Sequence, residues 1–295
     1  MKQVDYRGLA ALDAVIDFGS FDKAAAALSI TQSAVSQRIR ILENGAGELL
    51  IIRSQPPAAT AAGQRLIAHY RQVKLLEAAL AQRPGAGMER PAIAIAINAD
   101  SAATWLQEAL APLLQAGHCL LNILIDDQEH TLTMLREGRV FGCVTSASNL
   151  VAGTTATPLG RMRYLCVASP AFARRWFPDG FSAAAVQQAP GMNFDRKDAL
   201  LTRFIAHRTG YSSRYPYHCL SSSDGFVRFI LAGLGYGMLP LQQCADAIEA
   251  GSMLDLTPGD WLDVPLVWHA WDIQTPMTRS LTDHIVSTAR RWLIQ

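Results

Sequence analysis

Apolar residues recur at helical spacing up to Gln82, and from Pro91 onward they fall into short strand-like runs separated by amphipathic stretches. Within Phe21–Arg53, Asp22 is placed to cap a helix whose Ala24–Ala27 run is small enough for a second helix to cross closely. Leu28 and Ile30 supply core anchors beyond it. Thr31 then stands where an N-cap is expected, and Ala34, Val35, Ile39 and Leu42 define the buried face of a helix over Gln32–Glu43. The opposite face carries Gln32, Ser33, Ser36, Gln37 and Arg40, with Arg38 on its flank. Two helices joined by a tight polar turn, the second presenting long donors, form the layout of a helix-turn-helix DNA reader. An ordinary amphipathic helix with a solvated face has the same spacing, so periodicity alone does not separate the two readings.

Leu66, Ile67, Tyr70, Val73, Leu76 and Leu80 place one apolar stripe along a long helix over Ala61–Gln82. Such a stripe is covered either by its own domain or by a partner helix, and the flanking reader and linker offer little cover. Arg83–Gly87 (RPGAG) reads as a hinge. Beyond it, AIAIAIN, a helix through Trp105–Leu114, CLLNILID, a helix at Leu132–Arg136, and GCVTS follow one another in βαβ order. A second set runs from near Arg161 through YLCVAS, PGMNF, YHCL, a helix in Phe226–Leu231 and GYGMLP, then Pro265–Ala270 and a final helix at Thr278–Leu293. Two lobes of largely parallel sheet are expected. The Gly233–Gly237 run (GLGYG) matches a phosphate loop weakly and reads better as a turn from helix into strand.

The segment AALDAVIDFGSFDKAAAALSITQSAVSQRIRILE resembles the N-terminal domain of LysR-type transcriptional regulators, keeping nearly all of their A-A…L-x-x-[ST]-Q-x-[AS]-[VL]-S-x-x-[IL]-x-x-L-E pattern. The likeness extends along the chain. LDAVI, ITQSAVSQRIR, NADSAATW, SSSDGFV and LDLTPGDW are similar to the ArgP/LysG branch, which responds to basic amino acids. The resemblance implies an α+β protein with a winged helix-turn-helix over 1–60, a linker and dimerisation helix with its hinge over 61–87, and an effector domain over 91–295. That domain would be two-lobed and similar to a periplasmic binding protein, with lobe I at about 91–160 and 267–295, lobe II at about 161–266, and two crossover segments. It further implies a homodimer or homotetramer, double-stranded promoter DNA of imperfect two-fold symmetry, and contact with RNA polymerase. Gly45 and Ala46 replace bulkier residues of the family, and Gln55–Thr60 (QPPAAT) lacks an arginine often found in the wing, so weaker wing contacts are expected.

At 295 residues, with 50% hydrophobic and 17% charged positions, the chain is long enough for a small and a larger packed domain. A formal net charge of +1 gives no global attraction for polyanions, and over residues 1–60 the six basic residues are matched by six acidic ones. DNA affinity must then come from a local patch around Arg38, Arg40 and Arg53, multiplied by dimerisation. Base readout falls to Ser33 and Gln37, with Gln32 and Arg40, while Ser36, Arg38 and Arg53 suit phosphates and Thr31 stands at the start of the same helix. The five cysteines are scattered and read as core residues, Arg163 near Cys166 being the one basic neighbour able to favour a thiolate. No apolar signal core or membrane-length run is present, so a cytoplasmic protein is expected. No nucleophile elbow, metal-spaced histidines or cofactor lysine stands out, and neither an enzyme, a metal nor a cofactor is expected.

Residues following the expected strands form a polar, acidic set: Asn98, Asp100, Ser101, Asp127, Glu129, Thr145, Ser146, Asp195, Ser222 and Asp224. Ligands in such sheets bind beyond the carboxyl ends of the strands. Ser101, opening the helix that holds Trp105, with Thr145 and Ser146, is the candidate seat for an α-carboxylate, although helix capping explains Ser101 and Asp100 equally well. Asp127 and Asp224 are the preferred partners of a cation, Asp195 being placed to pair with Arg196 and Lys197 instead. Jointly the carboxylates favour lysine or arginine, with Trp105 and Phe194 either covering the aliphatic stem or packing in the core. The rivals are a regulator of another small ligand, a solute-binding protein of an amino-acid transport system, and an amino-acid-processing enzyme. The transport protein would have no use for the first 60 residues, and the enzyme would need a nucleophile.

Overall fold

The computed structural model describes residues 5–81, 92–117, 119–126, 128–147 and 151–295; the RPGAG hinge and Asp127 lie outside the described residues, as do the side chains of Gln128 and Glu129. The first helix, α1 (Tyr6–Phe18), is capped by Asp5, whose Oδ1 accepts from the amides of Arg7 and Gly8 at 3.1 and 3.0 Å. The second, α2 (Phe21–Ala27), is capped by Ser20 and not by Asp22: Ser20 has the extended backbone a cap needs, whereas Asp22 is already within the first turn. Ser29, with φ 53°, turns the chain into α3 (Gln32–Ala46), three residues longer than the sequence pattern indicates and ended by Gly47 in the left-handed region. Thr31 caps α3 as expected, accepting from the Ala34 amide at 3.2 Å.

A two-stranded wing, β1 (Ile51–Ile52) with β2 (Ala58–Ala59), follows and is tied back to α3 by the Leu50 amide, which donates to Glu43 Oε1 at 3.0 Å. Helix α4 (Ala61–Ala81) then divides the apolar stripe in two. Its first half has the cover in its own domain that the sequence did not indicate: Ala62 and Ile67 join Leu9, Leu12, Val15, Val35, Ile39 and Leu50 in one core, with Leu66 and Tyr70 packed on it. Gly63 allows this approach, because a Cβ there would stand 2.1 Å from the Leu50 carbonyl oxygen. Farther along, Leu76 and Leu80 are 47% and 81% exposed.

The remaining chain folds around one nine-stranded mixed sheet of order β4-β3-β5-β11-β6-β9-β7-β8, with β10 also on β6. Its first lobe is built from β3 (Ala92–Ile97), α5 (Ala99–Thr104), α6 (Leu106–Gln115), β4 (Leu120–Ile125), α7 (Gln128–Arg136) and β5 (Gly142–Thr145), with parallel pairing throughout. The expected single helix through Trp105 is two, broken at Trp105, whose fully buried ring makes it core and not a ligand cover. The second lobe holds part of β6 (Thr154–Ala168), then α8 (Pro170–Trp176), α9 (Ala183–Val186), β7 (Gly191–Asn193), α10 (Leu200–Thr209), β8 (Tyr217–Cys219), α11 (Ser223–Leu231), β9 (Tyr236–Pro240), α12 (Leu241–Glu249), β10 (Leu254–Asp255) and part of β11 (Leu262–Trp271).

The sheet is not wholly parallel. β6 and β11 pair antiparallel and run through both lobes, with Gly160 of β6 at φ 122° opposite a register shift at Leu266/Val267 of β11. Two long strands that both become irregular at one level make a hinge. β6 begins seven residues before Arg161, where Thr154–Gly160 lack the apolar density that marks a strand. The last helix, α13 (Pro276–Trp292), is closed at its start by a Thr275–Thr278 capping box and returns to lobe I, where Trp292 Nε1 donates to Glu108 of α6 at 2.9 Å. The GLGYG run is the turn the sequence indicates: Gly233 is left-handed, and a Cβ at Gly237 would lie 2.8 Å from the Phe226 ring.

Candidate functional site

In the reader, burial of Val35, Ile39 and Leu42 forces the other side of α3 outward, so Gln32, Ser33, Gln37 and Arg40 are exposed and Ser36 and Arg38 half-buried. Thr31 is already engaged as a cap, and its hydroxyl also lies 3.0 Å from that of Ser33. Exposed Arg53 leaves the end of β1 and lines, with Gln32, Ser36 and Pro56, a notch between the start of α3 and the wing. Three of the expected DNA contacts therefore share one concave surface. The expected face is present, and its electrostatics are local: α3 has no carboxylate before Glu43, and Asp22 of α2 lines the notch beside Arg53.

Asn98, Asp100 and Ser101 meet at the carboxyl end of β3. The helix here starts at Ala99 and not at Ser101, so Ser101 sits within its first turn, fully buried, with Oγ lacking a partner; Asn98 Oδ1 is likewise buried and unpartnered. Asp100 crosses to the other lobe. Its Oδ2 accepts from the Tyr164 hydroxyl at 2.7 Å and its Oδ1 from the Ser223 hydroxyl at 2.8 Å. Ser223 Oγ also lies 3.1 Å from Gln243 Oε1. Burial raises the Asp100 carboxyl above the ordinary carboxylate value, the Tyr164 and Ser223 hydroxyls oppose this, and Asp198 adds to it. Burial and the facing Asp100 push the Tyr164 phenol upward.

The other expected effector residues divide. Thr145 is fully buried at the end of β5, where its Oγ1 accepts from the Ala147 amide at 3.2 Å, and Ser146 is half-buried beside it. Asp195 Oδ1 accepts from the amides of Lys197 and Asp198 at 2.7 and 2.9 Å, closing a local turn. Ser222 caps α11 by accepting from the Gly225 amide, and Asp224 lies exposed in the first turn. Tyr164 and Gln243 lie outside the site read from the sequence, and Ser223 belongs to its polar SSSD run without being singled out. Ser223 carries a signal, since it shares the i, i+3, i+7 buried face of α11 with Phe226 and Ile230.

Arg163 does not activate Cys166. Its guanidinium forms two 2.9 Å bonds with Asp263 and stacks 4.0 Å from the Trp261 ring centroid, while burial pushes the Cys166 thiol well up. Cys119, Cys143, Cys166 and Cys244 are buried and Cys219 is exposed. Among the described residues no group of three His, Cys, Asp or Glu could hold a metal ion, and no helix is long and apolar enough to cross a membrane.

Residues 6–64 match the family described as bacterial regulatory helix-turn-helix protein, lysR family, and residues 86–290 match the LysR substrate binding domain. The chain is 44% identical to the HTH-type transcriptional regulator ArgP of Aeromonas salmonicida, with 99% of each chain covered. The crystal structure of ArgP from Mycobacterium tuberculosis superposes with a TM-score of 0.90 at 40% identity, covering 99% of both chains. Full-length LysG from Corynebacterium glutamicum with bound effector Arg superposes with a TM-score of 0.82 at 34% identity, covering 99% of this chain and 100% of that one.

Proposed function

Since the chain belongs to the LysR family and is a DNA-binding transcriptional regulator, we propose that its promoter output is modulated by a basic amino acid, arginine or lysine, held between the lobes of the C-terminal domain. The observation that carries this reading is the pair of buried, unpartnered polar atoms, Asn98 Oδ1 and Ser101 Oγ, next in sequence to a carboxylate that spans the lobes. A buried polar atom without a partner costs about 1–3 kcal/mol, so a solute that satisfies both recovers that loss. The Asn98 oxygen suits an ammonium or guanidinium donor, the Ser101 hydroxyl suits a carboxylate, and arginine is what the C. glutamicum relative holds. In this reading the protein works in the cytoplasm without cofactor or chemical step, and the working division is 1–60 reader, 61–87 linker and 91–295 effector domain.

Ser33 and Gln37, with Gln32 and Arg40, read bases, and Ser36 and Arg53, which line the notch, hold phosphates together with Arg38. A ligand that prefers one lobe arrangement biases the disposition of the subunits, and with it the spacing of the DNA half-sites. The test is thermal unfolding of the full-length chain against arginine, lysine, glutamate and apolar organic acids. Arginine or lysine at about 100 times its dissociation constant is expected to add roughly 2.7 kcal/mol. A shift confined to anions or apolar acids overturns the effector assignment and leaves DNA binding standing.

A further inference from the structure

Asp100 of lobe I has both carboxylate oxygens taken by hydroxyls of lobe II, Tyr164 from β6 and Ser223 from the first turn of α11. We infer that Asp100, Tyr164 and Ser223 form a clasp that holds the two lobes together, and that Asp100 acts as a positioning residue and not as a ligand contact.

Three observations support it. The anchor points are rigid: Tyr164 is 4% exposed within the β6–β9 ladder, and Ser223 is 8% exposed with Ser222 capping the helix beneath it. The lobes have a hinge on which to open, at Gly160 and Leu266/Val267, where both connecting strands lose regularity at the same level. Finally, a carboxylate accepting two hydroxyl bonds at 2.7 and 2.8 Å is satisfied already, whereas Asn98 Oδ1 and Ser101 Oγ, two residues before and one after it, are not. The ligand-facing groups and the closing group are thus separate members of one short segment. A clasp that favours the closed arrangement lowers the population penalty carried on binding, so it sets affinity without touching the solute.

The inference about affinity rests on the basic-amino-acid reading above, whereas the clasp itself does not. Two variants of the full-length protein test it, Tyr164→Phe, which removes one hydroxyl and keeps the ring, and Ser223→Ala. Hydrogen exchange is followed at the Ala102 and Phe226 amides, which are bonded to the Asn98 and Ser222 carbonyls. Each variant is expected to exchange about tenfold faster at both amides with the β6–β9 ladder unchanged, and to bind arginine about tenfold more weakly. Unchanged exchange at these amides in both variants overturns the clasp. If Tyr164→Phe loosens the ladder as well, Ser223→Ala decides, because it leaves the Ser222 cap and the Tyr164 packing intact. If the parent protein binds no arginine, the effector reading fails, and exchange alone decides the clasp.

Discussion

The recognition helix and the cleft helix both begin with a turn of polar side chains, and they leave those groups in opposite states. At α3, Thr31 serves the Ala34 amide while Gln32, Ser33, Gln37 and Arg40 remain in water. At α5, Asn98 Oδ1 and Ser101 Oγ are dehydrated without partners, and Asp100 is bonded from the opposite lobe. A hydrated group can wait for a partner without loss, whereas a dehydrated one carries its desolvation penalty until it is satisfied. The reader is therefore suited to many exchangeable contacts with a large polyanion, and the cleft to a few strong contacts with a small solute.

The most severe way to break this comparison is to remove the support that aims the reader while leaving the cleft alone. Gly63→Ala places a Cβ against the Leu50 carbonyl, where backbone must shift because no flexible side chain can yield. Unfolding of the reader is expected to cost about 3 kcal/mol less than in the parent, as in overpacked cores. Urea denaturation followed by DNA-binding activity checks it, and a variant with parental stability would show that α4 can slide along the wing.

Gln37→Ala sharpens the comparison at the hydrated end. Because Gln37 is exposed and unneeded by the core, its loss is expected to leave the unfolding midpoint unchanged and to weaken operator binding by about 1–3 kcal/mol, relaxing preference at one base position. Titrations with operator and random DNA measure the difference. An equal loss on both moves Gln37 to the phosphate backbone.

How far each region was legible in the sequence follows from the same contrast. The reader's determinants are local: Thr31, Val35, Ile39 and Leu42 fix cap and buried face within a dozen residues, so the outward face follows by subtraction. Asp22 misleads as a cap because Ser20 and Asp22 are both good capping residues, and the extended backbone of Ser20 decides between them. The cleft depends on residues brought together over long separations. Asp100 meets Tyr164 and Ser223 from 64 and 123 positions away, and Tyr164 lies in an apolar run that reads as strand interior. The mixed sheet stayed hidden for a related reason, since apolar alternation marks a strand and says nothing of its direction.

Acid titration probes the dehydrated end. The Asp100 carboxyl holds its proton more tightly folded than unfolded, so folded protein binds more protons than unfolded protein between the ordinary carboxylate value and the raised one. Stability contributed by this group is therefore present at low pH and lost as pH rises through the folded value. Asp100→Asn is expected to remove that slope, so that its stability relative to the parent increases as pH rises across the window. Urea midpoints followed upward in pH from the ordinary carboxylate value measure it. A parent protein whose stability instead rises with pH specifically through Asp100 would mean that the carboxylate is better solvated than its burial implies.

The smallest expected effect lies in the turn between α2 and α3, where Ser29 holds a left-handed backbone with φ 53°. A residue with a Cβ pays about 1–2 kcal/mol for that conformation, and glycine, which adopts it freely, loses roughly 0.5–1 kcal/mol more chain entropy on folding. The two nearly cancel, so Ser29→Gly is expected to stabilise the reader by about 0.5 kcal/mol, visible as a small rise in Tm. The sign is the informative part. A gain shows that the turn is held by the packing of α2 on α3, with the Ile30 amide donating to the Ala25 carbonyl at 3.0 Å. A loss would show that the Ser29 side chain itself holds the turn, and the reader would then share with the cleft a dependence on individual polar groups that its exposed face does not have.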